Sequence, residues 1–188
     1  MPDPLVWTIA ADGAQPIVET YGFLTDIMGA WDGGEQRVRL RLIPLETLRF
    51  SVLAEDREAR LAQSLIYAGH AQVIAVPLWQ YGSRLTGSIS IGASLLPIAD
   101  AQEVPYRRST DSGGYALVHR SAHDWELFEV ASTSASGVTT SDVATKASAS
   151  GSAVVYPARA ARFWGDPEVA WLTPRVMAAD LEFTGEQT

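Results

Sequence analysis

No cysteine occurs among the 188 residues. That excludes disulfides, thiolate nucleophiles and cysteine-ligated zinc together, and it fits assembly in a reducing cytosol. Lysine is almost missing too, since Lys146 is the only one among 14 basic residues and the rest are arginine. Two compatible readings explain this. A GC-rich genome favours arginine codons, and arginine is the better interface residue, being planar, weakly hydrated and able to grip a carboxylate with two donors. Positive charge is short overall, with 22 acidic residues against 14 basic and a net charge of −8. Binding through nucleic-acid phosphates needs cations clustered on one face, so this balance argues against it. No apolar run approaches the ~18 residues of a membrane span. The start, MPDPLVWTIA, lacks the charge and the apolar stretch of a signal peptide. A soluble protein without membrane insertion is expected.

Catalytic signatures are equally scarce. The chain has no Gly-x-Ser-x-Gly elbow, no phosphate-cradling glycine loop and no His-Glu-x-x-His. His119, His123 and Asp124 form the one metal-like group, but a strand-turn-strand need not converge them and a third good ligand is missing. Their plain reading is a pair of partly exposed hairpin residues. Asp26 and Glu35 could be cast as an acid pair, yet nothing marks the sugar cleft that two such carboxylates should flank; turn capping is the simpler role. Trp7, Trp31, Trp79, Trp125, Trp164 and Trp171 could stack on a sugar, although such residues more often anchor a core or a subunit interface. No catalytic turnover, metal or cofactor is expected.

What is present is alternation. A hydrophobic fraction of 47% with 19% charged residues suffices for a core. Val38, Leu40 and Leu42 alternate with Arg37, Arg39 and Arg41, and Leu48, Phe50 and Val52 alternate with Thr47, Arg49 and Ser51. Successive strand residues point to opposite faces, so each run has one side to bury. Asp32-Gly33-Gly34 is turn chemistry ahead of the first run, as is Asp12-Gly13 between strands expected at Leu5–Ala10 and Pro16–Tyr21. Asp56–Ala68 reads as a helix, with Asp56 as N-cap, Leu61 and Leu65 on its buried face and Gly69 at a left-handed C′ position. Strands follow at Val73–Val76 and Leu85–Ile91. A turn at Asp111–Gly114 precedes a hairpin of Tyr115–His119 with Trp125–Val130 around Ser121-Ala122. Residues 131–152 are almost all Ala, Ser, Thr and Gly and read either as a flexible loop or as narrow strands with a mobile tip near Asp142 to Lys146. Val154–Ala158, Val169–Thr173 and Val176–Phe183 complete the pattern. Many short strands with one helix predict a mainly β fold, an antiparallel β-sandwich or split barrel with the helix packed on the sheet, as a single domain over residues 1–188.

One stretch also carries a resemblance. Tyr21, Phe23, Leu24, Thr25, Asp26 and Ile27 are followed by Asp32, Gly33, Glu35, Gln36, Arg37, Leu40, Arg41 and Pro44. Together with Val76-Pro77-Leu78-Trp79, Val154-Val155-Tyr156-Pro157-Ala158-Arg159 and Leu181-Glu182-Phe183, this resembles the distal tail proteins, structural components of the tail tips of long-tailed bacteriophages. The resemblance implies a ring, hexameric in that family, joining the tail tube to the baseplate hub. It implies as partners other copies of the chain, the tail tube protein, the hub and the tape-measure protein. It also implies a virion location at the tail tip after assembly in the host cytoplasm. DNA would pass an acidic channel wall without specific binding. Ending at Thr188, the chain leaves no room for a sizeable carbohydrate-binding insertion. Within such a ring, Arg37, Arg39 and Arg41 are the candidate subunit interface, because three like charges on one strand face call for acids opposite them. The alternative expectation, from tryptophan content alone, is a β-sandwich carbohydrate-binding module.

Overall fold

The computed structural model describes residues 4–23, 25–29, 35–39, 44–103, 105–106 and 114–185, with strands alone given for 25–29 and 35–39. The protein is mainly β, with one helix packed on a large antiparallel sheet that does not close into a barrel. Short strands β1 (Leu5–Val6) and β2 (Val18–Gly22) lead into a separate two-stranded hairpin, β3 (Thr25–Gly29) with β4 (Glu35–Arg39). Then come β5 (Leu45–Glu55), helix α1 (Asp56–Gly69), β6 (Ile74–Pro77), a 3₁₀ turn at Trp79–Tyr81, β7 (Ser83–Arg84) and β8 (Leu95–Leu96). The second half supplies β9 (Tyr115–Ser121), β10 (Asp124–Ser134), β11 (Gly137–Thr140), β12 (Val154–Phe163), β13 (Glu168–Thr173) and β14 (Val176–Gly185).

The main sheet runs β2-β5-β14-β12-β9-β10-β11-β8, with β13 added to β14. Most pairs are antiparallel; β1 joins β6 in parallel, Leu5 opposite Ile74. Two cores result. In the first, Leu48, Phe50, Val52 and Ala54 of β5 meet Met177, Ala179, Leu181 and Phe183 of β14, all buried, beneath Ala59, Ala62 and Leu65 of α1 and the fully enclosed Trp7. Phe183 stacks on Phe50 at 5.7 Å and on Phe163 at 4.7 Å between centroids. The alternation expected for Thr47–Val52 is therefore present, and the helix packs through Leu65 with Leu61 half-buried beside it. The second core gathers Leu85, Ile89, Leu96 and Ile98 against Val118, Phe128, Val130, Val138 and Val155.

Three local expectations need correction. Glu55, not Asp56, occupies the N-cap position, and it makes no side-chain cap bond. The chain passes from β5 into α1 without a loop, and Asp56 makes that corner with φ +48°, a conformation Asp tolerates better than most residues. Arg175, in the β13–β14 turn, holds the corner. Its guanidinium donates to both Asp56 carboxylate oxygens, at 2.5 and 2.6 Å, and its carbonyl accepts the Asp56 N–H at 2.7 Å. Gly69 is not left-handed; it is a helical residue, and the role of its missing side chain is close approach. A Cβ there would collide with Ile74 Cδ1 and lie 2.9 Å from Phe163 Cε2. Nor is Leu85–Ile91 a strand. Leu85 and Ile89 make isolated bridges to Ile98 and Ser148, while Ile91 points to solvent.

The hairpin of β9 and β10 forms as expected, with Ala122-His123 as its turn and a register break between Asp124 and Trp125. The Ala/Ser/Thr-rich segment continues β10 to Ser134 and returns as β11. Gly69 offers a direct check of the first core. Gly69→Ala gains helix propensity of about 0.5–1 kcal/mol but overpacks a site whose neighbour Ile74 is fully buried, at about 1–3 kcal/mol. A net loss is expected, read as a lower urea midpoint at unchanged m-value.

Candidate interaction surface

The expected site residues fall in different places. Arg37 and Arg39 lie on β4, in register with Ile27 and Thr25 of β3; Asp26 pairs with Val38, and Glu35 with Gly29. Arg41 lies outside the described residues, as do Leu40, Leu42, Trp31, the glycine turn at Asp32-Gly33-Gly34 and Asp111–Gly113 of the later turn. The hairpin β3–β4 forms a sheet of its own, so the arginine strand is not part of the main sheet.

His119, His123 and Asp124 do not converge. His119 is half-buried edge-on to the rings of Trp79 and Tyr156, and its Nε2 is 3.1 Å from the Thr8 carbonyl. Burial lowers its pKa, partly offset by that hydrogen bond. His123 sits in the exposed turn. Asp124 instead receives Lys146 Nζ at 2.7 Å, which with nearby Arg120 lowers its pKa. Among the described residues no three His, Cys, Asp or Glu side chains are grouped to hold a metal.

Beside this pair lies a polar clip that the sequence did not announce. Glu126 Oε1 accepts from the Thr145 amide at 2.8 Å, the Thr145 hydroxyl at 2.7 Å and the Lys146 amide at 3.0 Å. Arg120 donates to Glu126 Oε2 at 2.9 Å and reaches Ser148 Oγ through Nε at 2.9 Å. These bonds tie the segment around Asp142 to Lys146 onto β10. Glu126 and its partners Thr145 and Lys146 are some twenty residues apart, the latter inside a low-complexity tract, so only the fold reveals them. Burial works to raise the Glu126 pKa, but the bonds from Thr145, Arg120 and Lys146 outweigh it and leave the carboxyl below its ordinary value.

Another ionic feature is internal. Arg159 of β12 lies 3.4 Å from Glu46 of β5 and donates to the Pro105 carbonyl at 2.8 Å, with both charged residues buried. Near them the hydroxyls of Tyr81 and Tyr21 donate to Glu19 Oε2 at 3.0 and 3.1 Å. These groups border a shallow pocket with Leu78, Gln102 and Glu103. Arg159 and Glu19 thus bind other protein groups at its wall, a structural arrangement that joins β12 to β5.

The larger feature is on the surface. The tryptophans divide: Trp7 is core, Trp79 and Trp125 are half-buried, and Trp164 and Trp171 are 62% and 44% exposed. All six residues of β13 are exposed, including Val169, Trp171 and Leu172. At the opposite end of the same sheet segment, Val18 and Tyr21 of β2 are exposed, with Phe23 just beyond. Leu53 lies between them on the face that α1 does not cover. No protein-family model matches this chain, and no curated protein matches it either.

The clip predicts a pH dependence. Because the Glu126 pKa is lowered in the fold, its contribution to stability is complete above the ordinary value of 4.5 and is lost as pH falls through the lower folded value. Glu126→Gln should therefore lower the melting temperature at pH 7 and narrow its gap from the parent toward pH 3. A gap that stays constant with pH would mean that the carboxylate charge plays no part.

Proposed function

We propose that this chain is a structural ring component of a bacteriophage tail tip, connecting the tail tube to the baseplate hub and self-associating with no turnover of its own. The observation that carries the reading is the concentration of exposed large apolar residues on β2, β13 and the uncovered face between them. Single exposed apolar residues are ordinary on a monomer, whereas several gathered on one sheet segment support a surface that a partner covers. The residue pattern around Tyr21–Pro44 and Val154–Arg159 points to the same class of protein. Its net charge of −8 suits a channel through which DNA must slide without sticking. Copies of the chain, the tube protein, the hub and the tape-measure protein are the proposed partners. Arg37, Arg39 and Arg41 are proposed to meet carboxylates of a neighbouring copy.

The test is mass. Purified protein should form a closed ring of defined stoichiometry by native mass spectrometry and electron microscopy. Arg37→Gln, Arg39→Gln and Arg41→Gln, made singly, should include at least one that weakens assembly while leaving the monomer melt unchanged. Losing one partner of a desolvated interfacial pair costs about 2–5 kcal/mol, enough to empty a ring at micromolar protein. A parent that stays monomeric at every accessible concentration sinks the ring.

A second reading has one observation in its favour. Trp164 and Trp171 are both exposed, and indole faces stack on sugars. A carbohydrate-binding module would stay monomeric and bind a defined glycan on an array, with binding abolished by Trp164→Ala or Trp171→Ala.

A further inference from the structure

We propose that two copies of this chain pair through β13, antiparallel about a two-fold axis beside Ala170, so that the sheet of one continues into the sheet of the other. The pairing is separate from the contacts of a ring and does not rest on that reading.

Strand β13 is an edge. Among the described residues its only hydrogen-bonded strand partner is β14. The backbone donors and acceptors on its other side are therefore open to a further strand. All six of its residues are exposed, and Val169, Trp171 and Leu172 are large and apolar. It contains neither the lysine nor the proline that commonly blunts an edge. Pro167 and Pro174 stand just outside it, one at each end. Having no N–H, they confine a new ladder to the residues between them.

Face and register identify the occupant. Val169 and Trp171 stand opposite Ala179 and Met177 of β14, so they share the core-facing side. Glu168 and Ala170, opposite Asp180 and Ala178, share the outer side, and Leu172 lines the same outer groove. Between Trp171 and Thr173 the register shifts by one residue. Thr173 consequently stands opposite Val176, on the side of Ala178 and Asp180.

A two-fold antiparallel pair keeps like faces together only when it is centred on a residue. Centred on Val169, it brings Pro167 opposite Trp171. Centred on Trp171, it sets core-facing Val169 against outward-facing Thr173. Centres nearer either end run into Pro167 or Pro174 sooner. Centred on Ala170, it pairs Glu168 with Leu172, Val169 with Trp171 and Ala170 with itself, and every pair matches in face. Only this register uses the whole run from Glu168 to Leu172.

The same register is chemically the favourable one. It makes two aromatic-to-β-branched pairs, Trp171 of each copy with Val169 of the other, on the side that carries α1. The smallest side chain of the strand stands at the axis, where identical residues meet. Glu168, the one charge on β13, faces an apolar residue and not its twin. The two Glu168 positions lie ~13 Å apart along the strands, beyond the Debye length of about 8 Å in physiological salt. Such a contact is isologous, so it closes as a pair and uses up the edge.

The experiment places charge at the axis. Because Ala170 meets its own copy, Ala170→Lys and Ala170→Glu each set like charges opposite one another. Each alone should pair roughly fivefold more weakly than the parent, by sedimentation and native mass spectrometry, with parent-like circular dichroism melts because Ala170 is exposed. Mixed in equal amounts, the two should pair at least as tightly as the parent, since opposite charges then meet. A second measurement uses the absence of cysteine. Directly opposed strand residues lie within disulfide reach. Mild oxidation of Ala170→Cys should therefore give a covalent dimer at concentrations where Ser136→Cys, in an exposed turn, stays monomeric. Charged variants that pair like the parent, a mixture no tighter than either alone, or a parent monomeric at the highest concentration reached would overturn the β13 pair. Should a charged variant melt lower than the parent, the cysteine variant decides, and cross-linking no faster than Ser136→Cys overturns the pair. A parent whose ring is insensitive to Ala170 removes this proposal and keeps the ring; pairing through Ala170 without a ring does the reverse.

Discussion

The ladder between β5 and β14 is the constraint on which the rest of the fold depends. It runs unbroken from Val176 opposite Glu55 to Thr184 opposite Thr47. Loop-closure cost rises only slowly with separation, so joining such distant segments is tolerable once their inner faces are apolar. They are: Leu48, Phe50, Val52 and Ala54 face inward beside Met177, Ala179, Leu181 and Phe183. A one-residue slip of β14 would turn its four toward water and bring Asp180 and Glu182 inside, so the register is strongly specified. Every other element near this core takes its place from the ladder. Helix α1 follows β5 without a loop, β2 pairs with the free side of β5, and β12 and β13 divide the free side of β14 between them.

Strand β12 transmits that order to the second core. Its Ala161–Phe163 end pairs with β14, its middle with β6 and its Val154–Ala158 end with β9, so one strand belongs to both halves of the sheet. Arg159 sits in the middle of it, and its ion pair with Glu46 ties β12 to β5 at the seam. A buried ion pair contributes little net stability compared with a well-packed apolar pair, but removing one partner strands the other charge, at about 3–5 kcal/mol. Such a pair opposes separation of the two halves and disfavours alternative pairings of β12, a contribution to specificity of structure more than to its strength.

Where one face of a strand is buried along its whole length, the fold was legible from residue order. Thr47–Val52 and Val176–Phe183 carry a strict alternation because an inner and an outer environment alternate there. The same pattern misled at Leu85–Ile91. Alternation reports two environments, yet Leu85 and Ile89 reach the core as isolated inward points, and no continuous neighbour exists to make a ladder. Gly69 misled for a related reason. A glycine after a helical run suits either a left-handed turn or a tight contact, and only the position of Ile74 decides between them. The clip around Glu126 was invisible because its donors are backbone amides and a threonine in a tract whose composition says nothing about where it docks. The residues of β13 were visible as types only; that this strand lies at a sheet edge is a property of topology.

That topology leaves one side of the sheet unfinished. Helix α1 covers the inner face of β5 and β14, while Leu53 on the outer face and the residues of β13 are exposed. In a small domain exposed apolar residues of this kind favour indiscriminate association. Here a net charge of −8 opposes it, since identical acidic copies repel at distances comparable with the Debye length of about 8 Å in physiological salt. Attraction between exposed apolar residues acts only at contact. The charge thus holds dilute copies apart, and any contact between their apolar residues has to outweigh that repulsion.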